Sequence, residues 1–273
     1  MSRHFVLLRL KKLCIHMHYT TFPFLSMFLV NIFNFLRGTG YTVIMALAGT
    51  IIGFLIGLLV AIIRTIPVAK TDSKLKKVFF KIVNFILSAY VEIIRGTPMM
   101  VQALIIHYSW FVFMKIQPLV SAIIIISFNT GAYMAEIVRG GIISVDKGQF
   151  EGAHAIGMSH WQMMTNVILP QAVRNIMPSI GNEFVVNIKD SSVLSVIAIT
   201  ELMFAAKQAG GAYAKYVPAY IICALIYLIL TFTITRILRL IEKKMDGGKS
   251  YTICGSQSDP SAEIHVKKES NNG

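Results

Sequence analysis

Charge is scarce in this sequence, and acid is scarcest. Thirteen Asp and Glu stand against 26 Lys and Arg, and charged residues make up only 14% of the chain. A soluble domain is nearer a quarter charged, so a protein wholly surrounded by water is excluded. Cysteine is almost missing: Cys14, Cys223 and Cys254 are far apart. That spacing excludes a disulfide framework and a cysteine-based zinc site, and leaves Cys223 as a small apolar residue in a span. The histidines (His4, His16, His18, His107, His154, His160 and His265) form no H-x-x-x-H pair on a helix. No G-x-S-x-G elbow is present, which argues against a hydrolase. No complete G-x-x-x-x-G-K-[ST] occurs either. Gly248-Lys249-Ser250 looks like its end, but Lys243 stands where the motif needs glycine. The chain is therefore not expected to be an ATP engine itself.

What is present is apolar. Hydrophobic residues are 55% of the chain and the mean hydropathy is +0.65. Several long apolar runs predict an all-α polytopic membrane protein. The net charge of +13 does not point to nucleic acid. Its basic residues sit between and after the apolar runs, as in the cytoplasmic loops of an integral membrane protein.

Taken in order, residues 1–36 form a basic N-terminal segment. Its stretch 22–36 is short for a span and reads as an interfacial helix. Alternatively residues 13–36, which contain no charged side chain, cross the bilayer. No small-residue cleavage site follows, so a signal peptide is not expected, and Met17 is an alternative start. Residues 37–245 form the membrane domain, with five spans near 41–63, 80–114, 119–138, 176–200 and 216–237. The basic loop holding Arg64, Lys70, Lys74, Lys76, Lys77 and Lys81, with Asp72 as its one acid, marks the inside. Pro98 should break the second span. Residues 201–215, with Gly210 and Gly211, read as an outer loop. Residues 246–273 are polar and read as a disordered cytoplasmic tail. Gly49, Gly53 and Gly57 share one helix face, suited either to packing inside the subunit or to a contact between subunits.

Two features carry chemistry. The cytoplasmic loop 139–174 holds a polar, helix-compatible island at 151–170, read as a docking surface for a soluble partner. Polar stripes at i, i+4, i+7 mark three spans: Glu183, Asn187 and Asp190; Asn129, Tyr133 and Glu136; Arg95, Met99 and Gln102. Together they could line a cavity for a zwitterion, with Arg95 on a carboxylate and Glu183 or Asp190 on an amino group. A structural reading stands beside this one: in it, Lys189 with Asp190, or Arg95 with Glu92, serve only to neutralise each other near the interface.

Glu151-Gly152-Ala153, Gly157 and Ile168-Leu169-Pro170 resemble the EAA loop of permease subunits of binding-protein-dependent ABC importers. Arg95-Gly96-Thr97-Pro98 with Gln102, the stretch GAYMAEIVRGGIISVDKGQFEGAHAIGM, VILPQAVRNIMP and Lys189-Asp190-Ser191-Ser192 resemble the polar-amino-acid branch. The likeness covers roughly residues 35–242. It departs at Gly152, where Ala is usual.

The resemblance implies a type I importer permease fold with a cytoplasmic coupling helix near 151–165. Its coupling residues would be Glu151, Gly152, Ala153, Ala155, Gly157, Met158, Ile168, Leu169 and Pro170. Gly157 would let that helix bend or approach its partner, and Pro170 would separate it from the next span. Substrate contacts would be Arg95, Gln102, Glu183, Asn187, Asp190 and Ser191. The implied partners are an ATP-binding subunit dimer, a second permease subunit (identical or paralogous) and an extracytoplasmic amino-acid-binding protein. No cofactor is expected, because ATP binds the partner. An ion-coupled secondary transporter and a membrane-bound enzyme are the competing readings. They lack, respectively, an inverted repeat and catalytic motifs. Arginine, histidine, glutamine, glutamate and cystine all fit as cargo.

Overall fold

The computed structural model describes residues 23–66 and 73–245. The basic residues before position 23, Lys70 and Asp72 of the basic loop, and the tail after 245 lie outside the described residues. All regular structure among the described residues is helical.

Helix α1, Pro23–Thr65, is 43 residues long. That is about 65 Å at 1.5 Å per residue, twice the hydrocarbon thickness of a bilayer. It corrects the expected division into an interfacial helix at 22–36 and a span from 41. The Arg37-Gly38-Thr39-Gly40 stretch reads as a boundary, yet its polar groups bond within the helix. Thr39 Oγ1 donates to the Phe35 carbonyl at 2.8 Å, and Arg37 donates to the Tyr41 hydroxyl at 3.3 Å. Gly38 is there for proximity: a methyl added at this position would lie 2.9 Å from Leu202 Cα and 3.0 Å from the Glu201 carbonyl carbon.

Helix α2, Lys74–Gly96, starts on Ser73, whose hydroxyl accepts from the Lys76 amide. Pro98 then ends it, as expected. The second predicted span is thus two elements: α2, then α3, Met99–Ile106, which runs into a π turn, His107–Phe111. Helix α4, Pro118–Ile143, has proline in its first turn, where the missing N–H costs nothing. Two short helices follow, α5 (Lys147–Ala155) and α6 (His160–Met163). A π turn, Met164–Ile168, leads into α7, Leu169–Asp190, and a 3₁₀ turn, Ser191–Ile197. Residues 202–213 form helix α8, Leu202–Tyr213, correcting the expected outer loop. Helix α9, Tyr216–Met245, completes the set.

By length and composition, three helices among the described residues can cross a membrane: Phe24–Thr65, Pro118–Ile143 and Tyr216–Lys244. A fourth crossing arises if His160–Ile197 and Leu202–Tyr213, bent by 50°, form one broken span.

The core is built on α1 against α4. The glycine stripe faces inward, as the reading of packing within the subunit expects. A methyl at Gly53 would lie 2.7 Å from Thr130 Cβ, and one at Gly57 would lie 2.7 Å from the Ala135 nitrogen. Small residues here let two backbones approach where lipid gives no hydrophobic drive. Helices α8 and α9 pack on the first half of α1 through Met27, Phe35, Ala205, Ile222 and the buried thiol Cys223.

Candidate functional site

The polar island is a double turn capped at each step. Asp146 caps α5 by accepting from the Gly148 amide at 2.6 Å. The helix ends at Gly157, which has φ +77°. There the Met158 N–H reaches the Ala153 carbonyl at 3.1 Å and the Gly157 N–H reaches the His154 carbonyl at 3.0 Å. This is a Schellman motif, and its left-handed position favours glycine. Helix α6 restarts at once with a capping box: Ser159 accepts from the Gln162 amide, and Gln162 Oε1 accepts from the Ser159 amide.

Two sequence expectations change. Gly157 terminates a helix and does not bend one. Pro170 lies in the first turn of α7, directly continuous with the π turn, and separates nothing.

The underside of the island is apolar and fixed. Ala153 and Ile168 are buried, and Met158 and Leu169 half-buried, against Ala61 of α1 and Val138 of α4. Glu151, Gly152, Ala155, Gly157 and Pro170 are exposed. Beside them stand two large apolar side chains open to solvent, Ile156 at 73% and Trp161 at 64%. An exposed apolar pair on a polar turn suits a protein partner.

The polar stripes stitch helices together. Pro98 cannot donate to the Ile94 carbonyl, four residues back. Gln102 Nε2 donates to it instead at 2.7 Å, and also to the carbonyl and hydroxyl of Thr97. Its oxygen accepts from Asn129 at 3.0 Å. Next along α4, Thr130 donates to Asn187 Oδ1 at 3.0 Å, and Asn187 Nδ2 donates to Thr50 at 2.8 Å. One asparagine thus ties α1, α4 and α7. Ser191, fully buried, donates to the Ile188 carbonyl. Glu183 is buried, Asp190 half-buried, and Arg95 is exposed with its guanidinium carbon 5.5 Å from the centre of the Tyr133 ring. Glu136, placed with Asn129 and Tyr133, instead bridges Arg64 at 2.7 Å and Arg139 at 2.8 Å. It pins the end of α1 to the end of α4, where the island begins.

Residues 75–247 match the family described as binding-protein-dependent transport system inner membrane component. The chain belongs to that family. The permease is 38% identical over 199 residues to the L-cystine transport system permease protein TcyB of Bacillus subtilis, covering 72% of this chain and 82% of that one. It is 33% identical over 213 residues to the glutamine transport system permease protein GlnP of Escherichia coli, covering 77% and 92%. Its fold resembles the crystal structure of an amino acid ABC transporter with histidines. There the TM-score is 0.70 and the identity 35%, covering 82% of this chain and all of that one. The chain is thus a multi-pass membrane permease component, and not itself an enzyme.

The permease holds one polar hub that the sequence reading passed over. Glu201, fully buried, caps α8 by accepting from the Met203 and Phe204 amides at 2.7 Å each, and accepts from the Tyr227 hydroxyl of α9 at 2.8 Å. Thr42 of α1 accepts from the Leu202 amide beside it. The signal was a lone acid just before the apolar run LMFAA, which is an N-cap pattern as much as a loop.

Proposed function

We propose that this permease is the transmembrane subunit of an ATP-driven importer for a polar amino acid, in the cytoplasmic membrane. It has five spans of the type I importer arrangement and a cytoplasmic C-terminus. The observation that carries it is the island: a capped double turn offering Ile156 and Trp161 to solvent, in a chain of this family. Residues 151–170 dock on a separate ATP-binding subunit, so ATP and its hydrolysis belong to that partner and no cofactor to this chain. The buried residues of the island transmit movement to α1, α4 and α7, which they touch. A second permease subunit completes the pathway, and an extracytoplasmic binding protein delivers cargo. The names of the relatives, for cystine and glutamine, support an amino acid.

The substrate contacts are Arg95, Gln102, Glu183, Asn187, Asp190 and Ser191. Arg95 and Asp190, the more accessible pair, take the opposite charges of a zwitterion. Gln102, Asn187 and Ser191, already hydrogen-bonded, set the helix positions behind them, and buried Glu183 lies on the same face of α7 as Asn187 and Asp190.

The test is uptake in vesicles holding the permease, its ATP-binding subunit and the binding protein. Uptake should require ATP, and Trp161→Ala should lower both ATPase association and uptake several-fold. Uptake that follows an ion gradient without the ATP-binding subunit would overturn the reading in favour of a secondary transporter.

A further inference from the structure

A cleft of about 310 Å³ opens between α7 and α9, within the size range of small-molecule sites. Its lining carries three cations, Lys189, Arg236 and Arg239, and no acid. None of the three is buried. The Arg236 guanidinium carbon stands 4.8 Å from the centre of the Phe232 ring, and a guanidinium resting on a ring can still present N–H donors to an anion. The lining hydroxyls are less useful: Thr231 and Thr235 donate to the Tyr227 and Thr231 carbonyls of their own helix. Charge recognition therefore rests on the three cations.

The other walls are apolar, from Val185, Leu228 and Phe232. Beyond them the outer face of α9 continues as exposed Leu225 and Ile229. A ligand that fits this surface has a compact anionic head and a long apolar body. A free amino acid has no such body, and a soluble anion leaves the apolar strip uncovered.

We infer that this cleft is a binding site for an anionic phospholipid. The headgroup phosphate sits among Lys189, Arg236 and Arg239, and an acyl chain lies along Leu228 and Phe232. Basic pockets between membrane helices recognise anionic headgroups in this way. The reading is independent of which cargo the permease carries.

The test is lipid titration of the purified full-length permease, with bound lipid counted by native mass spectrometry. The probes are short-chain phosphatidylglycerol, phosphatidylcholine and inorganic phosphate. Saturable binding of phosphatidylglycerol alone is expected. The double variant Arg236→Gln/Arg239→Gln should weaken it about 30-fold, from roughly 1 kcal/mol per basic residue at an anionic lipid surface. Lys243→Gln/Lys244→Gln, which removes the same charge from the same helix outside the cleft, should leave it unchanged. Equal binding of phosphatidylcholine, or unaltered affinity in the Arg236/Arg239 variant, overturns the inference. Inorganic phosphate binding as tightly as the lipid would transfer the site to a soluble anion and overturn it too. So would a change of oligomeric state in that variant with lipid binding intact, since the cleft would then be a contact between copies.

Discussion

Removing the Glu201 carboxylate should loosen the corner where α1, α8 and α9 meet. In Glu201→Ala the cap of α8 is lost, at about 1 kcal/mol. The half-buried Tyr227 also loses its acceptor, the fully buried Glu201 carboxylate, and a polar group left unpaired away from water costs about 1–3 kcal/mol. A destabilisation of about 2–4 kcal/mol is therefore expected. Equilibrium unfolding of the detergent-solubilised permease by SDS, followed by near-ultraviolet circular dichroism, measures it. The partner variant Tyr227→Phe removes the hydroxyl and leaves the cap, so it should cost less, near 1 kcal/mol. The double variant should then cost clearly less than the sum of the two, because both changes delete the same bond. Additivity within about 0.5 kcal/mol would show that Glu201 and Tyr227 do not act together. A Glu201→Ala permease as stable as the parent would refute the reasoning altogether.

Gly157→Val should reduce ATP-driven uptake, while Gly157→Asn should largely preserve it. Open space surrounds the position, so only the left-handed backbone opposes a side chain; that costs about 1–2 kcal/mol for most residues and less for Asn. Normal coupling in the valine variant, measured as uptake per ATP hydrolysed, would count against the turn as a rigid dock. Gly53→Leu should lower thermal stability by about 1–3 kcal/mol through overpacking, since it drives into Thr130 and disturbs the bond to Asn187. Gly40→Ala, on the same helix but facing open space, should be nearly silent. Equal melting temperatures for the two variants would sink the close-packing account.

The sequence made the membrane class legible because composition alone decides it, and it made the island legible because polar runs between apolar ones are rare. It also placed the break at Pro98 and put the three glycines on one face, leaving open whether that face packs inside the subunit or between subunits. Boundaries were harder. Arg37, Gly38 and Gly40 look like a stop, but Gly38 is small because the Glu201–Leu202 backbone touches it, and a single sequence does not reveal that neighbour. The same blindness turned α8 into a loop: Gly210 and Gly211 suggested a turn, whereas a methyl at Gly210 would sit 2.8 Å from the Tyr216 ring. Helix spacing marked the polar residues but not their partners, and Glu136 turns to Arg64 and Arg139 rather than joining Asn129. Gln102 answers a carbonyl left open by Pro98, and Asn187 answers Thr50 and Thr130, bonds set by tertiary placement.

The π turn at Met164–Ile168 bears on how this chain is aligned with others. A single π turn amounts to one residue inserted into an α-helix. Deleting one residue there restores ordinary winding and keeps Trp161 and Asn187 in the same mutual orientation. A relative one residue shorter at this point would therefore superimpose on both sides of the gap. A deletion of one residue in α7 between Pro170 and Asn187 would instead rotate Asn187 by about 100° relative to Trp161, away from Thr50. The 164–168 stretch is thus where this helix can change length without changing what it presents.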